Sequence, residues 1–149
     1  MSKASAKTHK GALSAAAKQA AVAKLRASGL RPTKQRIALG ALLFDGRDRH
    51  VTAEALHGEV SGAGANVSLA TVYNTLHQFT EAGLLREVVV NAGASHFDTN
   101  TGAHHHLYYA DTGELYDVAA TDVHIDGLPA LPKGAEIERV DVIVRLRRR

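Results

Sequence analysis

Residues 66–85 read Asn66-Val-Ser-Leu-Ala-Thr-Val-Tyr-Asn-Thr-Leu-His-Gln-Phe-Thr-Glu-Ala-Gly-Leu-Leu85. Apolar residues recur in this stretch at helical spacing, which predicts a helix over 69–81 with one face toward a core. The core-facing residues of this helix are Leu69, Val72, Leu76 and Phe79. Ser68 is a suitable N-cap, and Gly83 a suitable stop. The periodicity alone fits an ordinary amphipathic helix as well as it fits a recognition helix.

The elements on either side of this helix predict the fold class. Helices are expected over 16–27, 34–44 and 53–60, the last two capped by Thr33 and Thr52. A β-hairpin is expected from 85–90 and 95–98, around the turn Asn91-Ala-Gly-Ala94. Several helices followed by a short hairpin are the order of a winged helix-turn-helix. Three more strands, expected over 105–110, 114–118 and 137–146, form a sheet that is small for independent stability and would gain from a dimer partner.

We therefore expect an α+β fold. Its N-terminal winged helix-turn-helix domain covers 16–99, after a disordered basic tail over 1–15. A hinge over 100–103 leads to a small C-terminal α/β domain over 104–149, for dimerisation and ligand sensing.

Composition excludes several classes of protein. The chain has 149 residues and no cysteine, so disulfides, thiol catalysis and Cys-ligated zinc are excluded. No apolar run approaches the roughly 20 residues that a membrane helix needs. The charged N-terminus lacks the apolar region of a secretory signal, so we expect a cytoplasmic protein with no membrane partner.

Charge is distributed unevenly along the chain. Residues 1–49 hold 11 Lys and Arg and two acids, whereas residues 50–149 hold 7 Lys and Arg and 13 acids. A basic front half indicates a polyanionic partner, most simply double-stranded DNA, although a solvated basic tail would show the same charge.

Three adjacent histidines form the second segment that carries chemistry. On a strand, His104 and His106 point to one face and His105 to the other. Two imidazoles on one face can chelate a transition metal or haem iron. The alternatives are a solvated histidine cluster, a metal-dependent hydrolase and a haem carrier that never meets DNA. No spare general base or nucleophile motif supports a hydrolase, so we do not expect an enzyme.

The chain resembles the ferric uptake regulator family from about Leu25 to Arg147. Ser-Leu-Ala-Thr-Val-Tyr-Asn-Thr-Leu over 68–76 looks like that family's recognition helix, and Gly29-Leu-Arg-Pro-Thr-Lys-Gln-Arg36 looks like the start of its second helix. A dimeric regulator that binds a partly palindromic operator is therefore implied. The residues expected to face the DNA groove are Ser68, Ala70, Thr71, Tyr73 and Asn74. Phosphates are expected at Arg31, Lys34 and Arg36, with assistance from Arg47 and Arg49.

The resemblance also implies a regulatory metal site. The matching positions are His50, Asp98, His104, His106 and Asp117. Nitrogen and carboxylate donors of this kind suit Fe(II) or Mn(II). His105 and His124 match a possible second metal site of some members. The structural zinc of most members is not expected, because Tyr109 and Thr112 stand where its first cysteine pair would be.

Within the family, the sequence looks most like the iron response regulators (Irr). That likeness implies haem binding at His104, His105 and His106, and release of DNA when haem binds. The alternative is a peroxide-sensing repressor dependent on iron or manganese, which also favours Asp at positions 98 and 117. A site that draws ligands from both halves would couple its occupancy to the spacing of the recognition helices.

Overall fold

A computed structural model describes residues 13–91 and 94–149, with the side chain of Ala94 left out. The chain divides into two compact units, with the boundary between Thr101 and Gly102. Most of the tail expected over 1–15 lies outside the described residues, and the first helix begins at Ala15. No helix in the described ranges is long and apolar enough to cross a membrane.

The first unit contains the four helices expected from the sequence. They are α1 (Ala15–Ala27), α2 (Lys34–Leu43), α3 (Ala53–Gly62) and α4 (Leu69–Glu81). Each begins after a Ser or Thr whose side-chain oxygen accepts a backbone N–H three residues on. These caps satisfy N–H groups that have no partner within the helix. For this reason the last three helices begin at the residues predicted from the sequence.

A three-stranded sheet completes the first unit. Its strands are β1 (His50–Val51), β2 (Arg86–Asn91) and β3 (Ala94–Asp98), in the order β1-β3-β2 with antiparallel pairing. The hairpin of β2 and β3 is the predicted wing. Strand β1 was not predicted, because two residues are too few to show an alternating pattern.

The core of this unit lies under α4. Val72, Leu76 and Phe79 are fully buried, as predicted, and Phe79 packs against Phe44 with ring centroids 5.5 Å apart. The prediction was wrong for Leu69, which is 38% exposed, whereas Thr75 is buried. Leu69 shares a helix face with Leu76, but it is the first residue of α4 and lies at the end of the buried stripe.

The second unit is a small sheet formed by β4 (His104–Tyr109), β5 (Leu115–Ala119) and β6 (Ile143–Leu146). The central strand β4 pairs antiparallel with β5 and parallel with β6. The strand expected over 137–146 is confirmed only over 143–146. A parallel partner must be reached by a long connection, and the last part of the connection from β4 to β6, residues 123–142, has no helix or strand. The whole chain is therefore α+β, as expected.

Candidate metal centre and nucleic-acid interface

One pair of candidate ligands lies in the first unit. His50 on β1 and Asp98 on β3 are directly opposite in the strand register. The Nε2 atom of His50 lies 3.1 Å from Oδ2 of Asp98, whose side chain is fully buried. The other oxygen of Asp98, Oδ1, accepts the backbone N–H of Asn100 at 2.8 Å. Burying a charged carboxylate costs free energy unless a cation lies beside it, so Asp98 is placed as a metal ligand would be.

A second set of candidate ligands lies in the second unit. His104 and His106 share one face of β4, and Asp117 on β5 is paired with His106. Oδ1 of Asp117 lies 3.2 Å from Nε2 of His104 and 3.4 Å from Nε2 of His106. The two imidazole centroids are 4.5 Å apart, and both rings are buried. Two imidazoles and a carboxylate thus converge on one point.

The hydrogen-bond geometry of His104 fits a cation at this set. Its Nδ1 lies 2.7 Å from the carbonyl oxygen of Gly102, and because a carbonyl only accepts, Nδ1 must carry the hydrogen. In the neutral ring Nε2 then presents a lone pair to the Asp117 carboxylate, and two electron-rich atoms repel each other. Either a proton or a metal ion must stand between them. The backbone carbonyl on Nδ1 is also the partner that a metal-binding histidine commonly has.

His105 lies on the opposite face of β4, as the alternation of a strand predicts. Its Nδ1 accepts the backbone N–H of Val142 at 3.1 Å, just before β6. His105 therefore hydrogen-bonds the segment just before β6. It does not share a face with His104 and His106. His124, the other residue expected at a second metal site, is exposed in the irregular segment.

The residues expected to face the DNA groove lie at the start of α4 and are exposed or half-buried. Ser68, Ala70 and Asn74 are exposed, whereas Thr71 and Tyr73 are half-buried. The Ser68 hydroxyl caps the helix by accepting the Thr71 N–H at 3.1 Å, and it donates to the Thr71 hydroxyl at 2.9 Å. The start of α4 is therefore a capped, polar surface.

Tyr73 has a partner that the sequence did not reveal. Its hydroxyl donates a hydrogen bond to the carboxylate of Glu54, in the first turn of α3. This bond lowers the pKa of Glu54 and raises the pKa of Tyr73. In a sequence, an acidic residue at a helix start such as Glu54 is explained by the helix dipole. The contact with Tyr73 is therefore seen only in the packing of α3 against α4.

A polar hollow of about 450 Å³ lies between the start of α2 and α4. Its lining residues are Arg31, Thr33, Gln35, Arg36, Thr71, Asn74, Thr75 and Gln78. The Arg36 guanidinium donates to Oε1 of Gln78 from Nε at 3.3 Å and from Nη2 at 3.1 Å, and Nη1 donates to the Arg31 carbonyl at 2.9 Å. Arg31 and Lys34 are exposed. The hollow thus offers cations and amides beside the polar face of α4.

The two arginines expected to assist are both paired with carboxylates. Arg47 forms an exposed ion pair with Asp45 at 2.6 Å. Arg49 donates to both carboxylate oxygens of Glu59, at 2.8 and 2.9 Å.

These features define a class: a winged-helix protein followed by a small sheet that carries a histidine and carboxylate donor set. The model of the ferric uptake regulator family matches residues 27–144, and the chain belongs to this family. The peroxide-responsive repressor PerR of Staphylococcus epidermidis is 34% identical over 96 residues, covering 64% of this chain and 63% of that protein. The match thus spans a little under two-thirds of the length of that curated relative.

Solved structures agree with the fold. The ferric uptake regulator from Pseudomonas aeruginosa, determined with manganese, is 27% identical with a TM-score of 0.66 over 86% of this chain and 97% of that chain. The ferric uptake regulator of Vibrio cholerae is 23% identical with a TM-score of 0.66 over 85% of this chain and 98% of that one, a likeness of fold alone.

Proposed function

We propose that this protein is a transcription regulator whose binding to operator DNA is controlled by Fe(II) or Mn(II), and that it is not an enzyme. The observation that carries the proposal is the set of histidine and carboxylate ligands, two in the first unit and three in the second, of which Asp98, His104 and His106 are buried. A regulator of this kind acts in the cytoplasm, where its DNA is. Membership of the family supports the proposal, as does the manganese with which the P. aeruginosa regulator was determined.

One metal ion is proposed to bind all the ligands named from the sequence. These are His50, Asp98, His104, His106 and Asp117. Three nitrogen and two oxygen donors without thiolate suit Fe(II) or Mn(II) better than a structural zinc. When bound, the metal supplies the positive charge that Asp98 and Asp117 are placed to neutralise. Because these residues come from both units, occupancy of the site would restrict how the units are arranged.

DNA is proposed to contact the polar face of α4 and the hollow beside it. Ser68, Ala70, Thr71, Tyr73 and Asn74 are proposed to face the major groove, where hydroxyl, amide and methyl groups distinguish base pairs. Arg31, Lys34 and Arg36 are proposed to hold phosphates, Arg36 from a guanidinium already oriented by Gln78.

A homodimer on a partly palindromic operator is proposed as the DNA-bound form. Support comes from the exposed apolar surface of the second unit. Its residues are Tyr116, Ile125, Leu128, Leu131, Ile137, Val140 and Val144, each 37–54% exposed. Such a surface on so small a sheet favours burial against a second copy.

Haem is a second candidate effector, as in an Irr-type regulator. Imidazole is the only strong neutral ligand for haem iron here, since the chain has no cysteine and its only methionine is Met1. Because His105 lies on the opposite face of β4 from His104 and His106, at most two of the three imidazoles can approach the same haem. Their burial favours a compact ion over a flat macrocycle.

Peroxide sensing is a third outcome, favoured by the 34% identity to a peroxide-responsive repressor. It predicts that peroxide abolishes DNA binding of the iron-loaded protein and adds one oxygen atom to a ligand histidine. Loss of DNA binding would be seen by gel retardation, and the modified residue by peptide mass spectrometry.

Gel retardation with promoter fragments, repeated with Mn(II), Fe(II) and haemin, tests the function. We expect Mn(II) to change operator affinity at least tenfold in wild type and to have no effect in the variant Asp117→Ala. A response to haemin alone, lost in the triple His→Ala variant of 104–106, would replace metal by haem as the effector. Equal affinity for every duplex under all conditions would overturn the proposal.

A further inference from the structure

His50 stands on a strand that is too short to hold itself in place. Strand β1 has two residues and pairs with β3 through only two register positions. Nevertheless, the His50 imidazole must meet a fully buried Asp98 at 3.1 Å. Its position therefore depends on contacts beyond the strand pairing itself.

Arg49, the residue before His50, makes those contacts. Its Nη2 donates to both oxygens of Glu59 on α3, and its Nη1 donates to the carbonyl of Leu42 in α2 at 3.0 Å. Its backbone N–H donates to the Thr99 hydroxyl at 2.9 Å, and its carbonyl accepts the Thr99 N–H at 3.0 Å. Arg49 thus joins α2 and α3 to the residues that adjoin His50 on β1 and Asp98 on β3.

The ion pair is also partly shielded from water. The side chains of Arg49 and Glu59 are 20% and 33% exposed, whereas the Arg47 and Asp45 side chains are 63% and 28% exposed. A shielded arginine that already donates to a carboxylate and a carbonyl is poorly placed to hold a DNA phosphate. Its contacts fix the backbone next to a candidate ligand.

We propose that Arg49, held by Glu59, is a positioning residue for the metal ligand His50, and that the pair links occupancy of the metal site to helix α3. The inference rests on the proposed metal-dependent function and adds the means by which the first unit prepares its ligands. Val51 of β1 shares one core with the buried residues of α3 and α4, and the Arg49–Glu59 pair adds a polar link from the start of β1 to α3.

Binding of Co(II) to the full chain tests this, because Co(II) reports its coordination by visible absorption. Arg49→Met removes the clamp, and we expect Co(II) affinity to fall about 10–100-fold, the usual cost of removing a partner that supports a ligand. Glu59→Gln should act in the same direction with a changed absorption spectrum. Arg49→Lys, which keeps the charge but not the fork, should recover part of the loss.

Arg148→Met is the matched control, since it makes the same substitution in an ion pair of the second unit, with Glu114, that contains none of the candidate ligands and neither Arg49 nor Glu59. It should leave Co(II) affinity unchanged. Hydrogen exchange of the Thr99 amide in the metal-free protein gives a second readout, and we expect faster exchange in Glu59→Gln than in wild type.

Two results would overturn the inference, and they are distinguishable. If Glu59→Gln is folded and binds Co(II) with wild-type affinity and spectrum while His50→Ala does not bind it, Arg49 is only a structural clamp. If wild type itself fails to bind Co(II), or His50→Ala binds as well as wild type, the proposed metal site fails and the positioning role fails with it.

Discussion

Lys34 offers the sharpest test of the proposed DNA face. It is exposed in the first turn of α2, beside the hollow that Arg31 and Arg36 line. The proposed dimer has two copies of Lys34, one in each protomer. Each phosphate contact contributes about 0.9 to the slope of log affinity against log salt concentration. A dimer loses two such contacts in Lys34→Ala, so the slope should become shallower by about two.

Fluorescence anisotropy of a labelled operator, titrated at several salt concentrations, measures this slope directly. Lys133→Ala is the matched control, because Lys133 is exposed in the second unit and its removal changes the net charge by the same amount. The control should lower affinity slightly without changing the slope. Both variants should melt like wild type, since neither side chain is buried.

An unchanged slope in Lys34→Ala would refute the placement of phosphates at the start of α2. Equal changes in Lys34→Ala and Lys133→Ala would show that only overall charge matters. Arg36→Ala should remove both a phosphate contact and the bonds of Arg36 to Gln78 and to the Arg31 carbonyl. We therefore expect a loss of folding stability of about 1–2 kcal/mol in addition to the change in salt slope.

Three further outcomes follow from the structure. Tyr73→Phe should raise the pKa of Glu54 toward its ordinary value, measured by carboxyl NMR. Because the hydrogen bond from Tyr73 lowers that pKa, its contribution to folding stability is present above the usual carboxyl range. That contribution is lost as the pH falls through the lowered value. An unshifted Glu54 would mean that the two side chains do not bond in solution. Phe79→Ala should cost about 3–5 kcal/mol in urea unfolding, since Phe79 is fully buried against Phe44, and a loss below about 1 kcal/mol would contradict that packing. Sedimentation in a strong chelator should still show a dimer, because the chain has no Cys-ligated zinc to remove, and a monomer would show that a metal holds the dimer together.

The helices and the wing could be predicted from the sequence because their signals are local. Ser68 and Thr52 each cap a helix through a hydrogen bond three residues away, and the apolar spacing of α4 repeats within four turns. Strand β6 was harder, since its place is set by parallel pairing with β4 across a long connection. No local pattern in residues 137–146 shows where such pairing begins.

The chelating pair of His104 and His106 could be predicted from the alternation of a strand, and the resemblance implied the full ligand set. The local partners of these residues became visible only in the structure. The pairing of His50 with Asp98 joins residues 48 positions apart in sequence and depends on the register of an unpredicted two-residue strand. The partners Glu54, Glu59 and Gln78 are ordinary exposed or half-exposed helix residues in the sequence. Their roles come from how α3 and α4 pack, which no single-chain periodicity encodes.

The run of three histidines on β4 has a consequence for how this strand tolerates insertion and deletion. A strand that slips by one residue exchanges its two faces completely. With most sequences such a slip would remove every imidazole from the side that meets Asp117. Here His105 would replace the pair formed by His104 and His106, so one imidazole would remain opposite the carboxylate. The same slip would give the backbone N–H of Val142 a histidine neighbour again. An insertion or deletion that shifts β4 by one residue would therefore weaken the site without removing every imidazole from it.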